Sequence, residues 1–182
     1  RLCRDWSSDV CSSDLAGAPR MAADAEETAV ALHARYPGVP LYLLGESMGG
    51  AVAIVTAAGT EGTPVPPLDG LILEAPAVWG RDTMNVFERV ALYLAYRTVP
   101  AMTLTGRGLG IKPSDNIPML RALGRDPLVI KETRVDTIKG LVDLMDDATA
   151  AAPRLTEPML FLYGERDELI PRGATEIGRA HV

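Results

Sequence analysis

The feature that most limits the fold of this chain is a serine between glycines, placed directly between an apolar run and a predicted helix. Residues 41–44 form a short continuous apolar run, which is typical of a buried parallel strand. The segment GESMGG at 45–50 follows at once, and the small residues of 51–58 predict a helix. Glycines permit a sharp bend and close packing of helix on strand. A strand that turns straight into a helix indicates an α/β architecture.

The rest of the chain repeats this alternation. Residues 21–36 predict a helix, because small and apolar side chains recur at helical spacing before Pro37-Gly38. Further apolar runs at 71–73 and 159–163 predict two more buried strands. The sequence therefore predicts an α/β fold with parallel strands and flanking helices. Residues 80–153 carry helical stripes instead of strand patterns, so they predict a helical insertion.

Composition excludes several classes of protein. The chain has 182 residues, enough for one ordinary domain with an insertion. Its net charge of -6 argues against binding to a nucleic-acid backbone, so no nucleic-acid partner is expected. It contains no apolar run of membrane-spanning length. Cysteine and histidine lack metal-binding spacing, and no dinucleotide-binding glycine motif follows a strand. We therefore expect neither a metal nor a cofactor.

Ser47 is the predicted nucleophile. The pattern Gly45-x-Ser47-x-Gly49 between a strand and a helix presents a serine oxygen at the carboxyl edge of a sheet. The helix that starts there aims N–H groups at developing negative charge, so the Met48 N–H is a predicted oxyanion donor. The alternative is a glycine-rich turn with an incidental serine. The strand–turn–helix context favours the nucleophile.

Asp167 is the predicted acid of a catalytic triad. A serine nucleophile needs a base, and the base needs an acid to orient it. Asp167 follows the strand at 159–163, which places it at the same sheet edge as Ser47 and in the order serine then acid. Glu168 is the neighbouring competitor, and a solvated charged loop is the alternative interpretation. Asp146-Asp147 is interpreted as a solvated helix face and not as a pair of catalytic acids.

Three segments carry a family resemblance: YPGVPLYLLGESMGGAVA, LDGLILEAPAVWG and MLFLYGERDELIP. They resemble the α/β-hydrolase fold and, within it, the monoacylglycerol lipase and lysophospholipase group of serine aminopeptidase S33-type hydrolases. Most relatives have histidine where this chain has Glu46. The resemblance implies hydrolysis of a monoacyl lipid or similar small carboxylic ester through an acyl-enzyme on Ser47. It also implies Met48 as oxyanion donor, Asp167 as acid, and Gly45 and Gly49 as the glycines of the turn.

The resemblance further implies a catalytic histidine that we expect to be absent from this chain. In the family it lies in a loop after one further strand, and His181 is too close to Asp167 to admit that strand. His33 precedes the serine on a helix and is expected to be an ordinary helix residue. The loop that supplies the second oxyanion N–H is also expected to be missing. The sequence therefore predicts a partial α/β-hydrolase fold with a helical cap, and an inactive fragment.

Both ends of the chain are predicted to be non-native. Residues 9–15 can be encoded by a DNA string whose reverse complement encodes all of residues 176–182. That string resembles a common short-read sequencing adapter. We therefore expect residues 1–15 and 176–182 to be adapter-like. The expected hydrolase core is then 16–79 with the serine turn and 154–175 with the acid turn, and the cap is 80–153.

Two alternatives to ester hydrolysis remain open from the sequence. One is other chemistry on the same fold, of the peptidase or haloperoxidase type. The other is a non-catalytic protein that keeps the fold for binding. The apolar stripe containing Phe87, Val90 and Leu94 leaves weak membrane-surface contact through the cap as an option. The sequence is silent on oligomeric state. At the site, we expect strained backbone angles at Ser47 and no direct hydrogen bond between Ser47 and Asp167.

Overall fold

The computed structural model describes residues 15, 17–59, 66–106, 114–165, 167, 170 and 173. The elements follow in chain order: α1 (Ala18–Arg35), β1 (Tyr42–Glu46), α2 (Met48–Ala58), β2 (Gly70–Glu74), α3 (Val86–Thr98), β3 (Thr103–Leu104), α4 (Ile117–Arg125), β4 (Thr133–Arg134), α5 (Val135–Ala151) and β5 (Met159–Leu162). The chain divides into two compact units. The larger contains 16–84 and 141–182, and the smaller contains 1–15 and 85–140.

The larger unit is built on a three-stranded parallel sheet. The strand order is β1-β2-β5, so β2 lies between the strands that precede Ser47 and Asp167. Leu71 and Leu73 of β2 are each 1% exposed and form the centre of this layer. The predicted α/β fold with parallel strands and flanking helices is confirmed.

Helix α2 can approach the sheet closely because most of its side chains are small. Its buried residues include Ala51, Ala53, Ile54 and Val55. Helix α1 contacts α2 and buries alanines at helical spacing, Ala18, Ala22 and Ala29. Small residues at such a contact let two backbones pack without voids. This packing fixes where α2 begins, and therefore where the turn at Ser47 lies.

The strands are not buried on both faces, contrary to the prediction from their apolar runs. Burial alternates along β1, where Tyr42 and Leu44 are 58% and 60% exposed. Leu160 and Leu162 of β5 are likewise exposed. A continuous apolar run predicts burial only if layers cover both faces of the sheet. Within the described part of the chain, helices cover one face and leave the other open.

The smaller unit consists of short elements with good caps and little core. Asn85 and Glu88 form a reciprocal capping box at the start of α3, with both hydrogen bonds at 2.9 Å. Asn116 caps α4 by accepting a hydrogen bond from the Met119 N–H. Strands β3 and β4 form a two-residue antiparallel pair. No residue of α3 or α4 is buried, so these helices present apolar side chains to the surface.

Candidate active site

Ser47 forms the bend between β1 and α2. Its φ is 51° and its ψ is -117°, and its side chain is exposed. A positive φ is uncommon for any residue other than glycine and persists only where the surrounding structure enforces it. The prediction of a strained strand-to-helix turn at Ser47 is therefore confirmed. Such a turn projects a short side chain from the carboxyl edge of the sheet.

Both peptide groups of Ser47 are fixed by the end of β2. The Ser47 N–H donates to the Glu74 carbonyl at 2.9 Å, and the Ser47 carbonyl accepts from the Ala77 N–H at 2.9 Å. The Gly50 N–H donates to the same carbonyl at 3.0 Å. Ala75 lies between these contacts and itself has a positive φ of 41°. Two residues with positive φ therefore lie at neighbouring strand ends, and hydrogen bonds of Ser47 flank the second of them.

The glycines of the turn differ in what the fold requires of them. A Cβ at Gly45 would lie 2.7 Å from the Gly50 Cα, and a Cβ at Gly50 would lie 2.7 Å from the Pro76 Cβ. Real Cβ atoms do not approach other atoms so closely. A Cβ at Gly49 would meet nothing within 4 Å. The steric role predicted for Gly45 is therefore present, whereas the one predicted for Gly49 lies at Gly50.

The Met48 N–H lies at the first position of α2. The first N–H groups of a helix have no carbonyl partner within it, and they carry the positive end of the helix dipole. Among the described residues, no hydrogen bond is donated by the Met48 N–H, and none involves the Ser47 side-chain oxygen. An acyl oxygen placed beside Ser47 would therefore meet a donor that is already oriented.

Asp167 lies in a tight turn after β5. Its N–H donates to the Gly164 carbonyl at 3.1 Å, and its carboxylate accepts from the Ile170 N–H at 3.0 Å. The Tyr163 hydroxyl donates to the Ile170 carbonyl at 2.7 Å, and Ile170 is 4% exposed. These contacts fix the position of the Asp167 carboxylate relative to the end of β5.

The sheet topology brings Ser47 and Asp167 to one edge. Both follow the carboxyl ends of parallel strands, with β2 between them. Neighbouring strands are about 4.8 Å apart, so β1 and β5 are separated by roughly 10 Å. That separation leaves room for an imidazole between a serine and an acid. Glu168 and His181 lie outside the described residues, as do the predicted adapter-like residues 1–14 and 176–182.

The described residues place no imidazole at this edge. His33 is the single histidine among the described residues. It is exposed in the last turn of α1, and β1 separates that helix from Ser47. Within the same residues, no group of three or more histidine, cysteine, aspartate or glutamate side chains could hold a metal ion. Nor does any helix of the described chain combine the length and apolarity needed to cross a membrane. Among the described residues, the candidate site thus consists of Ser47, the Met48 N–H and Asp167.

Sequence reasoning missed a charged cluster behind the turn. Asp146, interpreted as part of a solvated face, instead accepts hydrogen bonds from the backbone N–H and the guanidinium of Arg81. Asp143 accepts from the same guanidinium at 2.5 Å. This hydrogen bond with Asp143 is the largest contribution that raises the pKa of Arg81. The partners are more than sixty positions apart, so no local pattern could reveal the cluster.

Asp147, beside the cluster, lies at a cavity distant from the serine. Burial raises the pKa of its carboxyl group, and the negative charges of Asp143 and Asp146 raise it further. The cavity measures about 290 Å³ and is also lined by Val55 and Gly59, at the far end of α2 from Ser47. It is therefore not the place where an acyl group would meet the serine.

A family model and curated relatives both match most of this chain. The family model described as serine aminopeptidase, S33 matches residues 12–180. Human monoglyceride lipase is 32% identical over 136 residues, which cover 74% of this chain and 43% of that protein. Monoacylglycerol lipase of Mycolicibacterium smegmatis is 26% identical over 151 residues, with coverage of 75% and 47%. The chain thus spans less than half the length of these curated relatives.

Solved structures show the same fold. The monoacylglycerol lipase of Paleococcus ferrophilus superposes with a TM-score of 0.69 at 21% identity, covering 91% of this chain and 61% of that one. A soluble variant of monoglyceride lipase from Saccharomyces cerevisiae gives a TM-score of 0.62 at 20% identity, covering 87% and 53%. At such identities the likeness concerns the fold, and it agrees with the arrangement of β1, α2, β2 and β5.

Proposed function

The chain belongs to the serine aminopeptidase S33 family of hydrolases, and from that premise we propose that the whole protein hydrolyses carboxylic esters of the monoacylglycerol type. The observation that carries the proposal is Ser47 on a strained strand-to-helix turn, beside the Met48 N–H, which has no partner among the described residues. The names of the relatives support a monoacyl lipid ester as substrate. Peptide hydrolysis is the competing activity, because the family description refers to an aminopeptidase.

The proposed chemistry uses Ser47 as a covalent nucleophile. Its oxygen attacks the acyl carbonyl while a base removes its proton, and the Met48 N–H stabilises the resulting oxyanion. Collapse of the tetrahedral intermediate breaks the ester bond, and the base returns its proton to the departing alcohol. Water then attacks the acyl-enzyme in the same way and releases the fatty acid. Asp167 orients the base and stabilises its charged form.

We propose that a histidine outside this chain supplies the base. The described residues hold no imidazole near Ser47, and the matched region is less than half of the human relative. A serine without a base is a weak nucleophile at neutral pH. General-base catalysis contributes about 10²–10⁴-fold to such reactions. The second oxyanion donor is proposed to come from outside the chain as well.

The test compares residues 1–182 with the same chain extended by its native flanking sequence, called here the extended chain. Each is assayed with monooleoylglycerol, p-nitrophenyl butyrate and an aminoacyl p-nitroanilide. We expect the extended chain to turn over both esters at least about 10³-fold faster than the short chain, because losing one oxyanion donor alone costs about 10²–10³-fold. We expect the esters to be preferred over the aminoacyl amide.

Three outcomes would contradict this proposal. Preference for the aminoacyl amide would favour a peptidase. A folded extended chain with no turnover of any substrate would favour a binding protein on the same fold. If residues 1–182 turn over ester as fast as the extended chain, and His181→Ala abolishes that turnover, then the base lies within the chain. That result would also contradict the predicted adapter origin of His181.

We further propose that the cap predicted at residues 80–153 corresponds in its central part to residues 85–140 of the smaller unit, and that α3 contacts lipid surfaces weakly. Phe87 and Val86 at the start of α3 are 86% and 70% exposed. Tyr93 and Leu94 are also more than half exposed on the same helix. Apolar side chains exposed on one amphipathic helix are suited to the interface of a lipid layer.

The lipid contact predicts a specific loss of vesicle binding. We expect Val86→Ser together with Phe87→Ser to weaken partitioning into phosphatidylcholine vesicles at least about 30-fold, because the two apolar side chains contribute roughly 1–2 kcal/mol each when they leave water. Co-sedimentation with vesicles measures the effect. Val39→Ser is the control, since Val39 is 59% exposed in the larger unit. Equal partitioning of the unmodified chain, the double variant and Val39→Ser would contradict the proposed lipid contact.

A further inference from the structure

We infer that Arg81, Asp143 and Asp146 form a clamp that positions Ser47, an inference that rests on the proposed role of Ser47 as nucleophile. The clamp lies wholly within the larger unit. None of its members follows a strand or touches the serine. They act on Ser47 through the segment between β2 and Arg81, and are therefore positioning residues.

Helix α5 holds one end of this segment. Asp143, Asp146 and Thr149 are three positions apart, so they lie along one side of the helix. Asp146 accepts from the Arg81 N–H at 2.7 Å and also binds the guanidinium, which donates to Asp143 at 2.5 Å. The Thr149 hydroxyl shares its single hydrogen between the Val78 carbonyl at 3.0 Å and the Met145 carbonyl of α5 at 2.9 Å. Backbone and side chain of the segment are thus both attached to α5.

Gly80 shows how closely the segment lies against the helix. A Cβ at Gly80 would come within 2.8 Å of the Asp146 Cγ, so only glycine allows this approach. The side chains of Arg81, Asp143 and Asp146 are 36%, 37% and 32% exposed. Partial burial weakens solvent screening, which makes these ion pairs stronger than those at an open surface.

The other end of the segment holds the serine turn. The Ala75 N–H donates to the Leu162 carbonyl at 2.8 Å, and the Ala77 N–H donates to the Ser47 carbonyl at 2.9 Å. Pro76 between them is fully buried and packs against Gly50. A continuous path of short contacts therefore runs from α5 through residues 75–81 to the Ser47 carbonyl.

The strain at Ser47 explains why such a clamp is needed. A residue held at an unfavourable positive φ relaxes unless its neighbours fix it on both sides. The Ser47 N–H is fixed by Glu74, which belongs to the sheet. The Ser47 carbonyl accepts from N–H groups of the first turn of α2 and from the Ala77 N–H, which is its one partner in the segment after β2. Without Arg81, Asp143 and Asp146 would repel each other on adjacent turns of α5. The segment between β2 and Arg81 would then become more mobile, and the Ser47 side chain would adopt a wider range of orientations.

Amide hydrogen exchange tests the clamp without requiring activity. In residues 1–182 we expect Arg81→Met to accelerate exchange of the Ser47 and Ala77 N–H groups about tenfold, the factor expected from losing one charge-assisted hydrogen bond. Arg81→Lys should give a smaller acceleration, because it keeps the charge. The Leu71 N–H, bonded to the Pro158 carbonyl at 2.9 Å, should change less than about twofold as an internal reference.

The matched control is Arg20→Met, which removes an exposed ion pair with Asp24 and should leave all three amides unchanged. If Arg81→Met does not fold, the comparison is made with Arg81→Lys alone. Wild-type exchange at Ser47 and Ala77 in a folded Arg81 variant would overturn the clamp. Equal acceleration at Leu71 would also overturn it, because Arg81 would then stabilise the whole unit and not the turn.

Steady-state kinetics of the same variants distinguish failure of this inference from failure of the proposed function. In the extended chain, Arg81→Met should lower kcat for p-nitrophenyl butyrate about tenfold with KM within about twofold, and Arg81→Lys should restore part of it. A change in KM alone would contradict positioning. If the wild-type extended chain has no hydrolase activity, the proposed function fails, while the exchange measurement still decides whether the clamp fixes the turn.

Discussion

Replacing Ser47 with alanine is expected to lower ester hydrolysis by the extended chain about 10⁴- to 10⁶-fold, because no other group in the site can form the acyl-enzyme. The residual rate would come from oxyanion stabilisation and substrate binding. Two measurements check this result: kcat with p-nitrophenyl butyrate, and the mass increase after treatment with a fluorophosphonate. Ser114→Ala is the matched control, since Ser114 lies in a loop of the smaller unit, where its hydroxyl accepts a hydrogen bond from the Asn116 N–H.

Ser47→Gly adds a readout that does not depend on chemistry. Glycine adopts positive φ readily, whereas alanine pays about 1–2 kcal/mol there. We therefore expect Ser47→Gly to be more stable towards urea than Ser47→Ala, although both are inactive. Full activity of Ser47→Ala would refute the nucleophile assignment. Equal stability of the two variants would instead argue that the strain at this turn is absent in solution.

Replacing Gly45 with alanine is expected to destabilise the larger unit strongly. The added Cβ would lie 2.6 Å from the Gly49 carbonyl carbon and 2.7 Å from the Gly50 Cα, and both are backbone atoms that cannot rotate away. Separating α2 from β1 would open the packed layer around Leu71 and Leu73. We expect a loss of about 3 kcal/mol or more, the upper end for overpacked cores and a large part of a typical free energy of unfolding.

Gly49→Ala is the matched control, because a Cβ there meets nothing within 4 Å. Alanine favours a helix over glycine by up to about 1 kcal/mol, so this variant should be unchanged or slightly more stable. Urea denaturation followed by circular dichroism compares the two. Similar unfolding midpoints for Gly45→Ala and Gly49→Ala would contradict the close approach of α2 to β1.

The sequence predicted the elements that depend on local patterns. The apolar runs before Ser47 and Asp167 formed strands, and the small residues after Ser47 formed α2. The helical stripes noted in residues 80–153 are present as α3, α4 and α5. These predictions succeeded because hydrophobic periodicity, glycine placement and helix caps act over a few neighbouring residues. The strain at Ser47 was predictable for the same reason.

Burial was harder to predict than secondary structure. The run at 41–44 gives a strand in any context, but whether Leu44 is buried depends on which layers cover the sheet. Glycine is required at Gly45 by the backbone of Gly49 and Gly50. It is required at Gly50 by Pro76, twenty-six residues further along the chain. From the sequence, Gly49 and Gly50 look equivalent, and only the structure shows which of them another part of the chain approaches.

The sequence by itself determined the parallel α/β architecture, the strained turn at Ser47 and the order of serine and acid. These could be predicted from short patterns of apolar residues and glycines and from the order of the elements along the chain. Only the tertiary structure decided that β2 lies between β1 and β5, and that Arg81 binds Asp143 and Asp146 behind the turn. Contacts across more than sixty residues form only when helices and strands pack, so no short pattern records them.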